Sequence, residues 1–183
     1  CAEIGLFPYT ITTPHGQPVK EITLDMLRKR EALESKGYLF QSGWAVCNLT
    51  EINGALIKSK EDFFEACCAA AHIGTLQAGY TNQGYLTRTT KMILEQEALI
   101  GVSITGMCET PEIMFNPEVL EAGAKIAVTE NIRVADMIGI NRASRVTTVK
   151  PSGNTSTIAG AVSAGVHTAH ARRFIRRMRI AKV

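Results

Sequence analysis

Short apolar runs alternate with longer amphipathic stretches along most of the chain. The short runs are rich in Val, Ile, Thr and aromatic residues and are bounded by Gly, Pro or Asn, which is typical of strands. Helix-like sequence separates each run from the next, and strands that alternate with helices indicate parallel pairing and the α/β class. The predicted strands cover residues 43–52, 99–105, 145–150 and 174–180.

Two of the intervening helices carry clear end signals. Ser59, with Asp62 three residues later, forms an N-cap box, and Gly79 is placed to end that helix. The second helix begins with an Asn-Pro pair at residues 116–117, where Asn caps and Pro takes the first helical position, and it ends at Gly139. Right-handed crossovers would place the loops after the strands on one functional face.

The first 42 residues do not follow this rhythm. They run as an apolar extended piece over residues 4–11, a turn region with Pro and Gly, and a short charged helix near residues 24–35. No internal repeat is visible. We therefore expect one partial domain, in which residues 1–42 form a separate segment and residues 43–183 form the α/β part.

The composition excludes several classes of protein. With 45% hydrophobic and 20% charged residues among 183, the chain is too apolar for a disordered protein. No run approaches the roughly 20 apolar residues of a membrane span, so a soluble, cytoplasmic protein with no membrane partner is expected. The five cysteines show no Cys-x-x-Cys spacing, which argues against a disulfide framework and a structural zinc site.

Charge is distributed unevenly. All 17 acidic residues lie before residue 137, whereas the segment 137–183 contains Lys and Arg but no acid. Such a cationic segment indicates a polyanionic partner, either a nucleic acid or the phosphates of a nucleotide. A solvated basic face is the alternative.

Residues 149–156 offer a site for phosphate. They follow a predicted strand and precede small, helix-compatible residues, so the first amides of a helix would point outward. Gly153 lets the backbone approach an anion, and the hydroxyl groups add donors. An ordinary Pro-Ser-Gly turn with a helix cap explains the same pattern. The candidate phosphate-binding residues are Ser152, Gly153, Asn154, Thr155 and Ser156.

Cys1, Glu3 and Cys47 are the candidate catalytic residues. Two positions apart on an extended chain, Cys1 and Glu3 would share a face at about 7 Å, which suits hydrogen abstraction by sulfur and proton transfer to a carboxylate. Cys47 falls on the predicted strand 43–52, and a second thiol facing it would make a redox pair. The simpler alternatives are an inert Cys1 and a Cys47 that is a small buried apolar residue.

The other thiols and imidazoles suggest no site. Cys67, Cys68 and Cys108 have no partner at a telling spacing and are expected to be structural. His167 and His170 are three residues apart but lack a nearby carboxylate, so no metal ligands are predicted.

Five short blocks occur in order along the chain: Cys-Ala-Glu at 1–3, Cys-Asn-Leu-Thr-Glu-Ile-Asn at 47–53, Gly-Val-Ser-Ile-Thr-Gly at 101–106, Lys-Pro-Ser-Gly-Asn-Thr-Ser at 150–156, and Gly-Val-His at 165–167 with the basic run 172–180. Together they resemble the catalytic half of ribonucleotide reductase. The likeness is greatest to the adenosylcobalamin-dependent class II enzymes, in particular the monomeric ribonucleoside-triphosphate reductases. It covers nearly the whole chain except residues 10–40, which resemble an insertion.

The resemblance implies a fold and a reaction. The fold would be a ten-stranded α/β barrel of two five-stranded halves, to which residues 1–42 contribute the finger loop and its insertion, and residues 43–183 the second half. The reaction would convert ribonucleotides into 2'-deoxyribonucleotides by thiyl-radical chemistry. Adenosylcobalamin would be the radical source, and a thioredoxin-type protein the reductant.

The resemblance also implies roles for individual residues. Cys1 matches the cysteine that becomes a thiyl radical and abstracts the 3'-hydrogen, and Glu3 matches the carboxylate that accepts the 3'-hydroxyl proton. Cys47 matches one of two thiols that reduce the 2'-position and end as a disulfide. Residues 152–156 match the loop that holds the substrate phosphates.

The chain also departs from the family pattern. The Asn-Pro pair before Cys1, the first half-barrel and the partner thiol of Cys47 are missing from this sequence. We therefore expect activity only with an N-terminal half of the same reductase, as an intein or a split gene would supply. A class I radical source is the alternative within the family. Outside it, the alternatives are a nucleotide- or nucleic-acid-binding module on the basic last third and an inactive remnant.

Overall fold

A computed structural model describes residues 9–160 and 162–168 together with residues 171, 173, 175 and 177. This part of the chain contains both helices and strands, and two single 3-10 turns, Gly54–Leu56 and Met107–Glu109, follow the longer strands. The strands are β1 (Tyr9–Thr12), β2 (Leu39–Ser42), β3 (Asn48–Asn53) and β4 (Ile100–Thr105). The helices are α1 (Leu24–Arg28), α2 (Arg30–Glu34), α3 (Lys60–Ala78), α4 (Arg88–Glu97), α5 (Pro111–Met114), α6 (Pro117–Ile138) and α7 (Gly153–Ile158).

The predicted parallel pairing is confirmed for β3 and β4. The six residues of β3 pair in register with the six of β4, from Asn48 opposite Ile100 to Asn53 opposite Thr105. The prediction for residues 99–105 is therefore close to correct. The prediction for residues 43–52 is wrong at its start, because residues 43–47 form no ladder and β3 begins at Asn48.

The predicted strand 145–150 is not a regular strand. One parallel bridge joins Thr147 to Val102, where Val102 N–H donates to Val146 O at 2.8 Å and Thr148 N–H donates to Val102 O at 3.0 Å. Beyond this bridge the segment projects into solvent, and Val149 is 75% exposed. We refer to residues 145–149 as the edge segment.

The two long helices begin and end where the sequence predicts. Ser59 and Asp62 form the reciprocal capping box of α3, which ends at Gly79. Asn116 caps α6, and Gly139 ends it in the left-handed conformation that glycine adopts without strain. Helix α3 packs on α6 and on both parallel strands, and the shared core includes Ile52, Phe63, Ala71, Ile100, Val102 and Ala127.

The N-terminal segment differs from its prediction in two ways. Residues 39–42, for which no strand is predicted, form β2, and β2 pairs antiparallel with β1. The helix predicted near residues 24–35 is interrupted at Lys29, so that α1 and α2 are separate single turns. Neither helix has a buried residue. Because most of the stability of a short helix comes from packing, a longer continuous helix is not stabilised here.

Over the described residues the fold is mixed helix and strand with two two-stranded sheets, and no closed barrel is formed. The half-barrel stays a prediction, as does the division at residue 42. Among the same residues, no helix combines the length and the apolar character that a membrane crossing needs.

Candidate functional site

Two of the predicted catalytic residues lie outside the described residues, because Cys1 and Glu3 precede residue 9. Their convergence with Cys47 therefore stays a prediction. Most of the basic run 172–180, with the strand predicted at 174–180, is likewise not described. The structure does describe Cys47 and the whole of residues 152–156.

The two faces of the parallel pair have different surroundings. Side chains alternate between faces along a strand. Helix α3 covers the face that carries Thr50 and Ile100, since a Cβ on Gly74 of α3 would lie 3.4 Å from Ile100 Cβ and 3.6 Å from Thr50 Cγ2. By alternation, Glu51 and Gly101 lie on the opposite face. We call it the open face only because α3 does not cover it, since Gly101 and the Glu51 side chain are themselves buried.

The thiol of Cys47 lies on the open face. Cys47 precedes β3 by one residue, so the prediction that it sits on the strand is corrected to the strand's entry. A Cβ on Gly101 would lie 2.8 Å from Cys47 Sγ and 2.9 Å from Thr148 Cγ2. Because Gly101 has no side chain, there is room for the Cys47 thiol. Cys47 and Thr148 of the edge segment both lie beside this position.

An ion pair links the open face to residues 152–156. Lys150 Nζ lies 2.7 Å from Glu51 Oε2 and donates a hydrogen bond to Thr155 Oγ1 at 3.0 Å. Both charged side chains are largely buried, 7% exposed for Glu51 and 21% for Lys150. Glu51 and Cys47 are four residues apart, or about 13 Å along the chain. That separation is on the scale of a nucleotide with its phosphates.

Ser152 is the N-cap of α7, and residues 153–156 are the first four residues of that helix, which therefore begins earlier than the helix-compatible residues that the sequence shows after residue 156. We keep the word turn for residues 152–156. Ser152 adopts the left-handed conformation with φ of 54°, which is uncommon for a residue with a side chain. Gly153 and Asn154 are exposed, and a Cβ on Gly153 would meet nothing within 4 Å. The backbone at Gly153 is therefore open to approach by a ligand.

Two hydroxyl groups of this turn point inward, unlike the expectation that they face an anion. Ser152 is buried and its Oγ donates to Lys150 O at 3.3 Å. Ser156 is also buried, and its Oγ donates to Gly153 O at 3.0 Å. These hydroxyls hold the turn, and its exposed surface consists of backbone and Asn154.

The helical thiols and His72 lie away from the open face. Burial, with a smaller contribution from the neighbouring Cys68, raises the pKa of Cys67 to about 12. Burial, followed by the adjacent Glu130 carboxylate, raises the pKa of Cys68. His72 Nδ1 is 2.8 Å from Glu130 Oε1, a side-chain hydrogen bond between α3 and α6. Within the described ranges, no three His, Cys, Asp or Glu side chains are grouped to hold a metal ion.

Two cavities of the described residues are too small to enclose adenosylcobalamin. One, of about 520 Å³, is apolar and lies between β4, the edge segment and helices α3 and α6, with Phe63, Leu120 and Val166 in its wall. The other, of about 370 Å³, is an open depression beside Cys47 and Tyr80. Cavities of about 300–1,000 Å³ suit drug-sized ligands, and a corrinoid with its adenosyl group is much larger. Neither cavity would therefore enclose the whole cofactor.

Sequence reasoning gave no role to the Glu51 and Lys150 pair, although both residues stand in the motif blocks. A single charged side chain within strand β3 is the one local signal of this pair. Compared with known proteins, the chain matches no family model, no curated protein and no solved structure.

Proposed function

We propose that this chain is part of the catalytic domain of a ribonucleotide reductase, which converts ribonucleotides into 2'-deoxyribonucleotides. One observation carries the proposal. The Cys47 thiol and the turn at residues 152–156 are joined by one face of a parallel strand pair, through Gly101, Thr148 and the Glu51–Lys150 ion pair. A thiol and a candidate phosphate site connected by one strand face suit a substrate that has a sugar at one end and phosphates at the other.

The proposed reaction consumes two thiols. Cys47 and a second thiol together give up two electrons and two protons. One hydrogen ends on the 2'-carbon, the other proton leaves with the 2'-hydroxyl as water, and the two sulfurs form a disulfide. A thioredoxin-type dithiol then restores both thiols by exchange. Cys1 would abstract the 3'-hydrogen as a thiyl radical and later return it, while Glu3 would accept the 3'-hydroxyl proton. These two roles come from the family resemblance.

The turn at residues 152–156 would hold the substrate phosphates. Exposed backbone at Gly153 and the left-handed Ser152 support this role, because strained backbone that the surroundings hold in place is frequent at ligand sites. The remaining parts of the proposal are an N-terminal half of the same reductase as partner, adenosylcobalamin as the radical source of the complete enzyme, and a cytoplasmic location.

The proposal is tested by reconstitution. The chain is combined with an N-terminal reductase half that ends in Asn-Pro, and deoxynucleotide formation is assayed with a ribonucleoside triphosphate, adenosylcobalamin and a dithiol. We expect turnover that disappears in Cys1→Ser and in Cys47→Ser, because each removes a thiol that the reaction consumes or regenerates.

Matched controls are available within the chain. Cys68→Ser and Cys108→Ser remove thiols for which the proposal has no role, and both variants are expected to keep turnover. Turnover that survives in Cys47→Ser would refute the assignment. Binding to DNA or RNA that weakens steeply with salt, together with no affinity for nucleotides, would favour the nucleic-acid module instead.

A further inference from the structure

The ion pair between Glu51 and Lys150 connects two distant parts of the chain. The residues are 99 positions apart, yet Lys150 Nζ lies 2.7 Å from Glu51 Oε2. Glu51 belongs to β3, which the parallel ladder holds in place, and Lys150 directly follows the edge segment. The pair therefore fixes the end of the edge segment to the sheet.

The same ammonium group reaches into the turn at residues 152–156. Lys150 Nζ donates to Thr155 Oγ1 at 3.0 Å, and Thr155 O in turn accepts from the N–H of Ala159, the residue that ends α7, at 2.8 Å. A continuous chain of polar contacts thus runs from β3 to α7. Its members are Glu51, Lys150, Thr155 and Ala159.

Stability alone does not explain this arrangement. The Oε1 atom of Glu51 is buried and has no hydrogen-bond partner among the described residues. Burying charge is costly, and a buried pair is often no more stable than a packed apolar pair of the same volume. Because one oxygen of the Glu51 carboxylate has no hydrogen-bond partner among the described residues, the pair contributes still less to the stability of the fold.

We propose that Glu51 and Lys150 are positioning residues, which hold the turn at residues 152–156 in its ligand-ready conformation. Lys150 is then not itself an anion ligand, because its charge is already neutralised by Glu51 and directed at Thr155. The inference rests on the proposed function in one respect, namely that this turn binds phosphate.

An electrostatic effect and a positioning effect predict opposite changes in anion affinity for Glu51→Gln. Removing a negative charge near an anion site, and freeing the charge of Lys150, would by itself strengthen anion binding. Loss of the fixed lysine would disorder the turn and weaken binding. Inorganic tripolyphosphate, titrated against the full 183-residue chain and followed by NMR shifts of residues 152–156, measures which effect is larger. We expect weakening of about tenfold, comparable with the loss of one charge-assisted hydrogen bond.

A second measurement needs no ligand. Hydrogen exchange at the amides of Ser156 and Ala159, which donate to Ser152 O and Thr155 O, reports how often the turn opens. We expect exchange about tenfold faster in Glu51→Gln and in Thr155→Val, and wild-type exchange in Thr155→Ser, which keeps the acceptor oxygen. Urea unfolding confirms in each case that the variant is folded.

The outcomes separate the two proposals. Unchanged exchange in both Glu51→Gln and Thr155→Val, or tighter tripolyphosphate binding in Glu51→Gln, overturns the positioning role and leaves the reductase assignment standing. Faster exchange in Glu51→Gln and Thr155→Val, together with a wild-type chain that binds no tripolyphosphate, supports the positioning role and removes the phosphate role of the turn.

Discussion

The imidazole of His72 and the carboxylate of Glu130 join α3 to α6, with 2.8 Å between Nδ1 and Oε1. Arg133, one turn further along α6, adds two contacts to the same carboxylate, from Nε to Oε2 at 2.8 Å and from Nη2 to Oε1 at 2.7 Å. Glu130 is largely buried in this arrangement. The hydrogen bonds from Arg133, and secondly that from His72, lower the pKa of Glu130 to about 2 despite the opposing effect of burial.

This depressed pKa predicts a loss of stability in acid. The carboxylate is ionised more readily in the folded chain than in the unfolded chain, where its pKa is about 4.5. Its contribution is therefore fully present above about pH 4.5 and is lost as the pH falls toward 2. We expect the free energy of unfolding, measured with urea at pH 6, 4, 3 and 2, to fall through this range. The fall should be smaller in Glu130→Gln, and equal pH dependence of the two proteins would contradict the assignment.

Gly101 is predicted to be intolerant of a side chain. A Cβ there would lie 2.5 Å from Leu49 Cδ2 as well as 2.8 Å from Cys47 Sγ, closer than packed atoms approach. Overpacking of this kind costs about 1–3 kcal/mol. We expect Gly101→Ala to lower the free energy of unfolding by that amount. We also expect it to displace the thiol, which would change the rate at which Cys47 is alkylated under native conditions.

Gly84→Ala is the matched control for this substitution. Gly84 is exposed, and a Cβ on it would meet no atom within 4 Å. The free energy of unfolding of the control should lie within about 0.5 kcal/mol of the wild-type value, as is usual for surface substitutions. If Gly101→Ala changed the free energy of unfolding as little as the control does, Cys47 would not be packed against this position.

The boundaries of the long helices could be predicted because their signals are local. Ser59 and Asp62 are three residues apart, and Asn116 stands directly before Pro117. Each signal satisfies amides within the same turn, so no knowledge of the rest of the fold is needed. The break at Lys29 has no Gly or Pro to mark it, and the sequence therefore predicts one helix where the structure has two.

The pairing of strands and the contacts of the site depend on distant residues. Nothing near residues 39–42 shows that β1 will pair with them, and the edge segment has strand-like composition but only one bridge. The closeness of Cys47 to Gly101 follows from the register of β3 against β4. The pairing of Glu51 with Lys150 follows from the course of the edge segment, which no sequence pattern specifies.

The capping box of α3 gives a prediction about stability. Ser59 Oγ accepts from Asp62 N at 3.1 Å, and Asp62 Oδ2 accepts from Ser59 N at 3.1 Å. Replacing a capping Ser by Ala typically costs about 1 kcal/mol. We expect that loss for Ser59→Ala in urea unfolding, and near wild-type stability for Ser59→Asn, which keeps a capping oxygen. Equal stability of the Ala and Asn variants would show that the cap does not stabilise α3.

The Cys67 thiol is predicted to be the slowest of the helical and loop thiols to react. It is 3% exposed, and burial raises its pKa to about 12, so that at pH 8 about one thiol in 10,000 is ionised. The thiolate is the reactive form, and both the low ionisation and the low exposure hinder alkylation. Iodoacetamide treatment at pH 8 followed by peptide mass mapping should label half-buried Cys108 well before Cys67, and the difference should vanish in urea. Labelling of Cys67 at the rate of Cys108 in the folded chain would mean that α3 and α6 are not packed around this sulfur as described.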